Sequence, residues 1–211
     1  MWEFRLAWTT PPAWWDGAWQ GAEKLFSGLG RSGEERPDAY FVLVGRTDVG
    51  LKLRGEKDDE FDVKVLHERR AGWELWEKVP FFRWNPLEEV RLAALLGIAP
   101  SPQAYPPKTA PSQGAEQLLK SVGIDVRTVR VKKLRMQAAA AALLPSFAAT
   151  VSPTWLAELV RIELPGRQDF VYSLCLESME PIRGGIEPVP SAGALCAGYP
   201  ELLLRHDRGG L

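Results

Sequence analysis

The chain has 211 residues, 45% of them hydrophobic and 25% charged, a balance that fits one globular core and excludes fibrous or wholly disordered chains. Its 26 basic and 27 acidic residues leave a formal net charge of −1, so no global field draws it to nucleic acid or a membrane. Two cysteines and two histidines are too few for a disulfide framework, a four-thiolate zinc site or histidine-rich chemistry.

The first residues, Met1 to Arg5, lack an apolar signal core, which predicts a cytoplasmic protein. Trp2 to Leu6 alternates, with Glu3 and Arg5 on one face, and predicts a strand. Pro11 to Leu29 places Trp15, Trp19, Ala22, Phe26 and Leu29 at helical spacing, with Gly30 as terminator. Two further strands follow, Leu51 to Arg54 with Lys52 and Arg54 on one face, and Phe61 to Val65 with Asp62 and Lys64. His67 to Arg70 reads as a strand end turning into a loop. Glu74 and Glu77 beside Trp73 and Trp76 suit either a half-buried edge strand or a short helix. The chain's nine tryptophans are expected to cover a core.

Asn85-Pro86-Leu87-Glu88 has the form of a helix cap, first-turn proline and capping-box carboxylate, and predicts a helix ended by Gly97. Residues 99–111 form a Pro/Ala/Ser connector, and Ser112 to Val122 a short helix. Arg127 to Arg135 is a β-branched, basic strand. Alternation from Val129 and Val131 turns Arg130 and Lys132 to its charged face, and a bulge would be needed to bring Lys133 and Arg135 there as well. Met136 to Ala157 carries no charge but holds Pro145, Pro153 and several hydroxyls, which predicts an Ala-rich helix and a loop, with no membrane span. Val160 to Leu164, with Arg161 and Glu163 on one face, and Phe170 to Glu177 complete the strands. Cys175 reads as a small buried apolar residue. The tract 181–200 is a proline- and glycine-rich surface loop, followed by a last helical turn or two at Pro200 to His206. There is no fixed-period repeat, dinucleotide fingerprint, P-loop or nucleophile elbow.

These elements predict an α+β fold: a largely antiparallel, tunnel-like β-barrel with a charged interior and helices around it. A single domain is expected over 1–211, with the barrel in 1–180 and a C-terminal extension in 181–211. An interior holding several cations is unfavourable unless carboxylates, water or a polyanion compensate them, and a phosphate chain is the natural occupant.

The order of these segments resembles the CYTH superfamily, the triphosphate tunnel metalloenzymes. The resemblance is carried by the acid/base strand Glu3-Phe4-Arg5, then Lys52-Leu53-Arg54, then Glu60 to Lys64, then Lys133-Leu134-Arg135, and an acid at Glu177 near the last long strand. Two positions depart from it: Met1 stands where a first carboxylate is expected, and Cys175-Leu176-Glu177 offers one acid in place of two. The resemblance implies that Arg5, Lys52, Arg54, Lys64, Lys133 and Arg135 bind phosphate oxygens, with Arg130 a further candidate from the alternation, and that Glu3 and Glu177 are catalytic. It also implies that Glu3, Glu177 and Glu163 hold Mg²⁺ or Mn²⁺, hard ions that prefer oxygen ligands. The expected function is hydrolysis of a triphosphate-containing small molecule, with no nucleic-acid or membrane partner. A non-catalytic phosphate-binding protein of the same barrel is the alternative, and an RNA-contacting module built on Arg127 to Arg135 is a third.

Overall fold

The structure, a computed structural model, describes residues 1–54, 60–83, 86–97, 116–117, 119–121, 123–182 and 188–210. Among the described residues there are nine strands: β1 (Trp2–Trp8), β2 (Glu34–Leu43), β3 (Val49–Arg54), β4 (Glu60–Arg70), β5 (Trp73–Arg83), β6 (Val126–Ala139), β7 (Leu156–Glu163), β8 (Val171–Ser178) and the short β9 (Leu195–Cys196). The helices include α1 (Trp15–Gly28), α2 (Pro86–Leu95), the single turn α3 (Ala140–Leu143) and α4 (Tyr199–Asp207).

The strands run in the order β5-β4-β3-β2-β6-β7-β8-β1, and β1 pairs back onto β5, so eight antiparallel strands close into a barrel. One edge of β1 is shared: Trp2 to Phe4 pair with β5, and Leu6 and Ala7 pair with β9. The tight β4–β5 turn is made by Ala71 and Gly72, both at positive φ (49° and 81°), the geometry a two-residue hairpin turn requires.

Outward-facing residues form two cores under the helices. Trp2, Phe4 and Leu6 of β1 and Leu174 and Leu176 of β8 pack with Trp15, Trp19, Ala22 and Phe26 of α1. Removing a large buried aromatic from such a layer typically costs about 3–5 kcal/mol. Leu29, expected to extend the apolar stripe, is 62% exposed, because the helix stops at Gly28 and Gly30 turns the chain at φ 65°. On the opposite side Phe41, Leu51, Leu53, Phe61 and Val63 pack against Leu92 and Leu96 of the α2 region. The predicted cap at Asn85 and most of the connector 99–111 and helix 112–122 lie outside the described residues, although residues 116–117 and 119–121 are helical.

A third core lies inside the barrel at one end. Inward-facing Ala7, Tyr40, Val42, Val129, Val131, Val160, Ile162 and Val171 surround Leu202, Leu203 and Leu204 of α4. Three consecutive helical residues span about 200° of arc, and all three are buried, so α4 is enclosed by the barrel end rather than laid upon its surface. The 181–211 segment is therefore built into the barrel through β9 and α4.

Three expectations change. The strand β6 continues to Ala139, so the uncharged stretch after Met136 yields one helical turn and not an Ala-rich helix. The tract 73–83 is a full strand that closes the barrel against β1, with Glu74 opposite Glu3. Finally, β2 was not anticipated as a strand, yet it pairs with both β3 and β6. Among the described residues no helix is long and apolar enough to cross a membrane.

Candidate functional site

Beyond the apolar end filled by α4, the barrel interior turns polar and encloses a cavity of about 370 Å³. Among the described residues, eight basic side chains and four carboxylates line it, contributed by all eight barrel strands, Arg36 coming from β2. Strand parity accounts for each. Glu3 and Arg5 alternate inward on β1, Lys52 and Arg54 with Gly50 on β3, Asp62 and Lys64 on β4, and Trp76 and Lys78 on β5. Lys133, Arg135 and Gln137 come from β6, Glu158 from β7, and Glu177 from β8.

The cations are graded in depth. Arg5 and Lys133 are buried, Arg36 and Lys52 are 13% and 15% exposed, and Lys78 reaches 40%. At the floor Tyr199, the first residue of α4, lies between the two deepest cations. Its ring centroid is 4.1 Å from Arg5 Cζ and 3.9 Å from Lys133 Nζ. Gly198 lets the chain enter α4 close to the wall, since a Cβ there would meet Glu74 Oε2 at 2.8 Å and the Trp76 ring at 3.3 Å.

The acids are tied to these cations. Lys64 Nζ bonds Glu3 Oε1, and Arg5 Nη2 is 3.8 Å from Glu3 Oε2. Arg5 Nη1 donates to Glu158 Oε1 and to Ser173 Oγ, each at 3.3 Å, and Arg135 Nη1 donates to Glu158 Oε2 at 2.9 Å. Asp62 receives Arg54 Nε at 2.6 Å and has Lys52 at 3.6 Å. Asp38, between Arg36 and Tyr40 on the inner face of β2, receives Lys133 Nζ at 3.1 Å and lies 3.7 Å from Lys52. Lys133 also bonds the Tyr40 hydroxyl.

Burial and neighbouring charge compete at each group. Burial pushes the Asp38 carboxyl up, but Lys133, Lys52 and Arg36 outweigh it and hold it at about 2. Glu158 is likewise held at about 2 by Arg5 and Arg135 against its desolvation. Burial dominates at two of the lysines, lowering Lys52 to about 8 and Lys133 well below its ordinary range, whereas at Lys64 the bonded Glu3 carboxylate outweighs burial and raises it. Glu177 goes the other way: burial, with Glu158 and Glu3 nearby, raises it, and its carboxylate accepts a bond from Gln137 Nε2 at 3.1 Å.

Of the residues singled out from sequence, Glu3, Arg5, Lys52, Arg54, Lys64, Lys133, Arg135 and Glu177 line this cavity. Arg130 and Glu163 do not. The β2–β6 register runs without a bulge from Val126 to Arg135, so Val129, Val131, Lys133 and Arg135 share the inner face and Arg130 and Lys132 point outward. On β7, Val160 and Ile162 face inward, which turns Arg161 and Glu163 out, and Glu163 stands opposite Lys132 on the barrel exterior. Arg36, Asp38, Tyr40, Glu158 and Tyr199 were missed. Glu158 shares the parity of Val160 two residues on, a signal masked by the apolar residues around it. Cys175 is buried on β8, as expected, and burial raises its thiol well above the ordinary value.

The donor set does not suit a divalent ion. Glu163 is outside, Glu3 and Glu158 are spanned by lysine or arginine, and Glu177 faces an amide N–H donor. Among the described residues no three His, Cys, Asp or Glu side chains converge as metal ligands.

No protein-family model and no curated protein matches the chain. Several solved structures match the chain, among them two of low identity. One is a protein from Bacillus halodurans described as a candidate adenylate cyclase, 14% identical, covering 84% of this chain and 81% of that one, with a TM-score of 0.37. The other, from Hippeastrum, is described as a candidate adenylyl cyclase with a dominant triphosphatase activity; it is 13% identical over 85% of this chain and 80% of that one, with a TM-score of 0.39. At these values the assignment of a function has to come from the cavity's own side chains.

Proposed function

We propose that the barrel receives the end of a phosphate chain, of the triphosphate class, in its basic interior. The observation that carries this is the excess of cations over carboxylates around an enclosed cavity: among the described residues, eight basic side chains against four lining carboxylates and the buried Asp38 beside Lys133. Such an excess is costly in a low-dielectric interior unless an anion joins it, and lysine and arginine suit phosphate through charge-assisted and bidentate contacts. Arg5 adds a second sign of an absent partner, because its buried Nε–H has no hydrogen-bond acceptor. With α4 filling one end, the ligand enters from the other. Its terminal phosphoryl group then lies nearest Arg5 and Lys133, and any organic group stays at the mouth near Lys78.

Hydrolysis of that chain is the second reading, and Glu177 favours it. Its carboxyl is held by an amide at the cavity wall and its proton affinity is raised above that of an ordinary carboxylate, the direction that suits a general acid or base.

Thermal unfolding with tripolyphosphate tests the site, because a ligand that binds only the folded state raises the midpoint. The midpoint should rise, and Lys52→Ala should weaken binding by about 1.5–3 kcal/mol, the scale of a hydrogen bond to a charged group. Arg130→Ala, on the outer face, should leave it unchanged. No rise at millimolar tripolyphosphate overturns the assignment. Phosphate release from a stabilising ligand separates hydrolase from binder.

A further inference from the structure

We infer that the barrel takes its phosphate chain in the metal-free form, with the lysines and arginines of β3, β4 and β6 neutralising the charge that a divalent ion would otherwise carry. This rests on the assignment of the cavity as a polyphosphate site and goes beyond it by naming the ionic form of the ligand.

The argument is one of occupied donors. A divalent ion such as Mg²⁺ needs several oxygen ligands in near-octahedral array. In this cavity the carboxylates already serve as acceptors for cations fixed by the barrel wall: Glu3 for Lys64, Glu158 for Arg5 and Arg135, Asp62 for Arg54. An ion bound at Glu3 and Glu177, which face each other across the β1–β8 ladder, would sit beside Lys64 and Arg5 and be repelled by both. A phosphate chain meets the opposite situation. Every oxygen it brings can replace a carboxylate oxygen on the same cations, and Arg5 Nε gains the acceptor it lacks. Complexation with Mg²⁺ removes two negative charges from the chain and so weakens this match.

Calorimetric titration of the protein with tripolyphosphate, in EDTA and then in excess Mg²⁺, decides the matter. Binding should be measurable in EDTA and weaken about tenfold or more as Mg²⁺ comes to exceed the ligand. Glu3→Gln should bind about two- to fivefold more tightly in EDTA, the scale of removing one partly screened charge contact, and Glu177→Gln should bind no more weakly than the parent. Binding that appears only with Mg²⁺, or that is lost in both variants while they remain folded, overturns the inference and leaves the polyphosphate site standing. Absence of binding under both conditions removes the site itself and the inference with it.

Discussion

The Tyr199 ring separates Arg5 from Lys133, with its centroid about equally far from the two charged groups, 4.1 and 3.9 Å. The helix that closes the barrel thereby presents an aromatic face to the two deepest cations, and the contact with each is attractive because the ring face is electron-rich. Tyr199→Leu keeps much of the volume and removes that face, and should lower stability by about 1–2 kcal/mol in denaturant unfolding. Tyr199→Phe should change it by less than about 0.5 kcal/mol, since the Tyr199 hydroxyl is buried without a partner.

Lys52 links pH to binding and to stability with opposite signs. Its pKa is about 8 in the fold against an ordinary 10.5, so between those values the unfolded chain holds a proton that the folded chain has released. Stability of the unliganded protein therefore rises through this window, while affinity for an anion falls as the lysine loses its charge. Titrations with tripolyphosphate at pH 7 and pH 9.5 should differ by about tenfold, and Lys52→Arg should remove most of the difference.

Acid acts through Asp38 and Glu158. Both are held at about 2, below ordinary values of 3.8 and 4.5, so their ionised forms stabilise the fold fully above about pH 4.5. That contribution is lost as pH falls toward 2. Glu177, whose pKa is raised, opposes the trend by gaining from protonation. Denaturant midpoints at pH 6, 4 and 3 should fall steeply, and Glu158→Gln should flatten the descent.

Gly198→Ala tests how closely α4 is seated. The added methyl meets Glu74 Oε2 at 2.8 Å, and Glu74 is held by Trp76 Nε1 at 3.0 Å, so the pair has to move or α4 has to back out. A loss of about 1–3 kcal/mol is expected from such overpacking. Gly50→Ala, with Pro200 Cγ at an ordinary 3.6 Å, should be nearly neutral.

Most of the barrel is legible as alternation, because Glu3-Phe4-Arg5, Lys52-Leu53-Arg54 and Asp62-Val63-Lys64 put charge on one face and apolar groups on the other. The outer face is covered by helices and the inner face by the site, and there the polarity rule holds. It fails where the inner face changes character along a strand. On β6 the inner sequence is Val129, Val131, Lys133, Arg135, and on β7 it is Glu158, Val160, Ile162. An inward valine and an outward arginine look identical in sequence to the reverse arrangement, which is why Arg130 and Glu163 were assigned to the wrong side. The same boundary hides β2: past Asp38 the residues Ala39 to Leu43 are apolar on both faces, inside against α4 and outside under α2, so no alternation remains. Lys133 and Arg135 were reached through the family resemblance, which fixes the register that alternation alone leaves open.

The shared edge of β1 also governs how the chain reaches this state. Its partners are β5, β8 and β9, and Glu3 pairs with Glu177 near the far end of the chain. Contacts so distant in sequence form slowly, because the intervening loop must be closed before they reward it. The β2–β5 meander and the β6–β8 meander join neighbours and can pair as they emerge. The barrel's first strand in chain order is thus fully paired only once its eighth is made, and barrel closure awaits translation beyond residue 177.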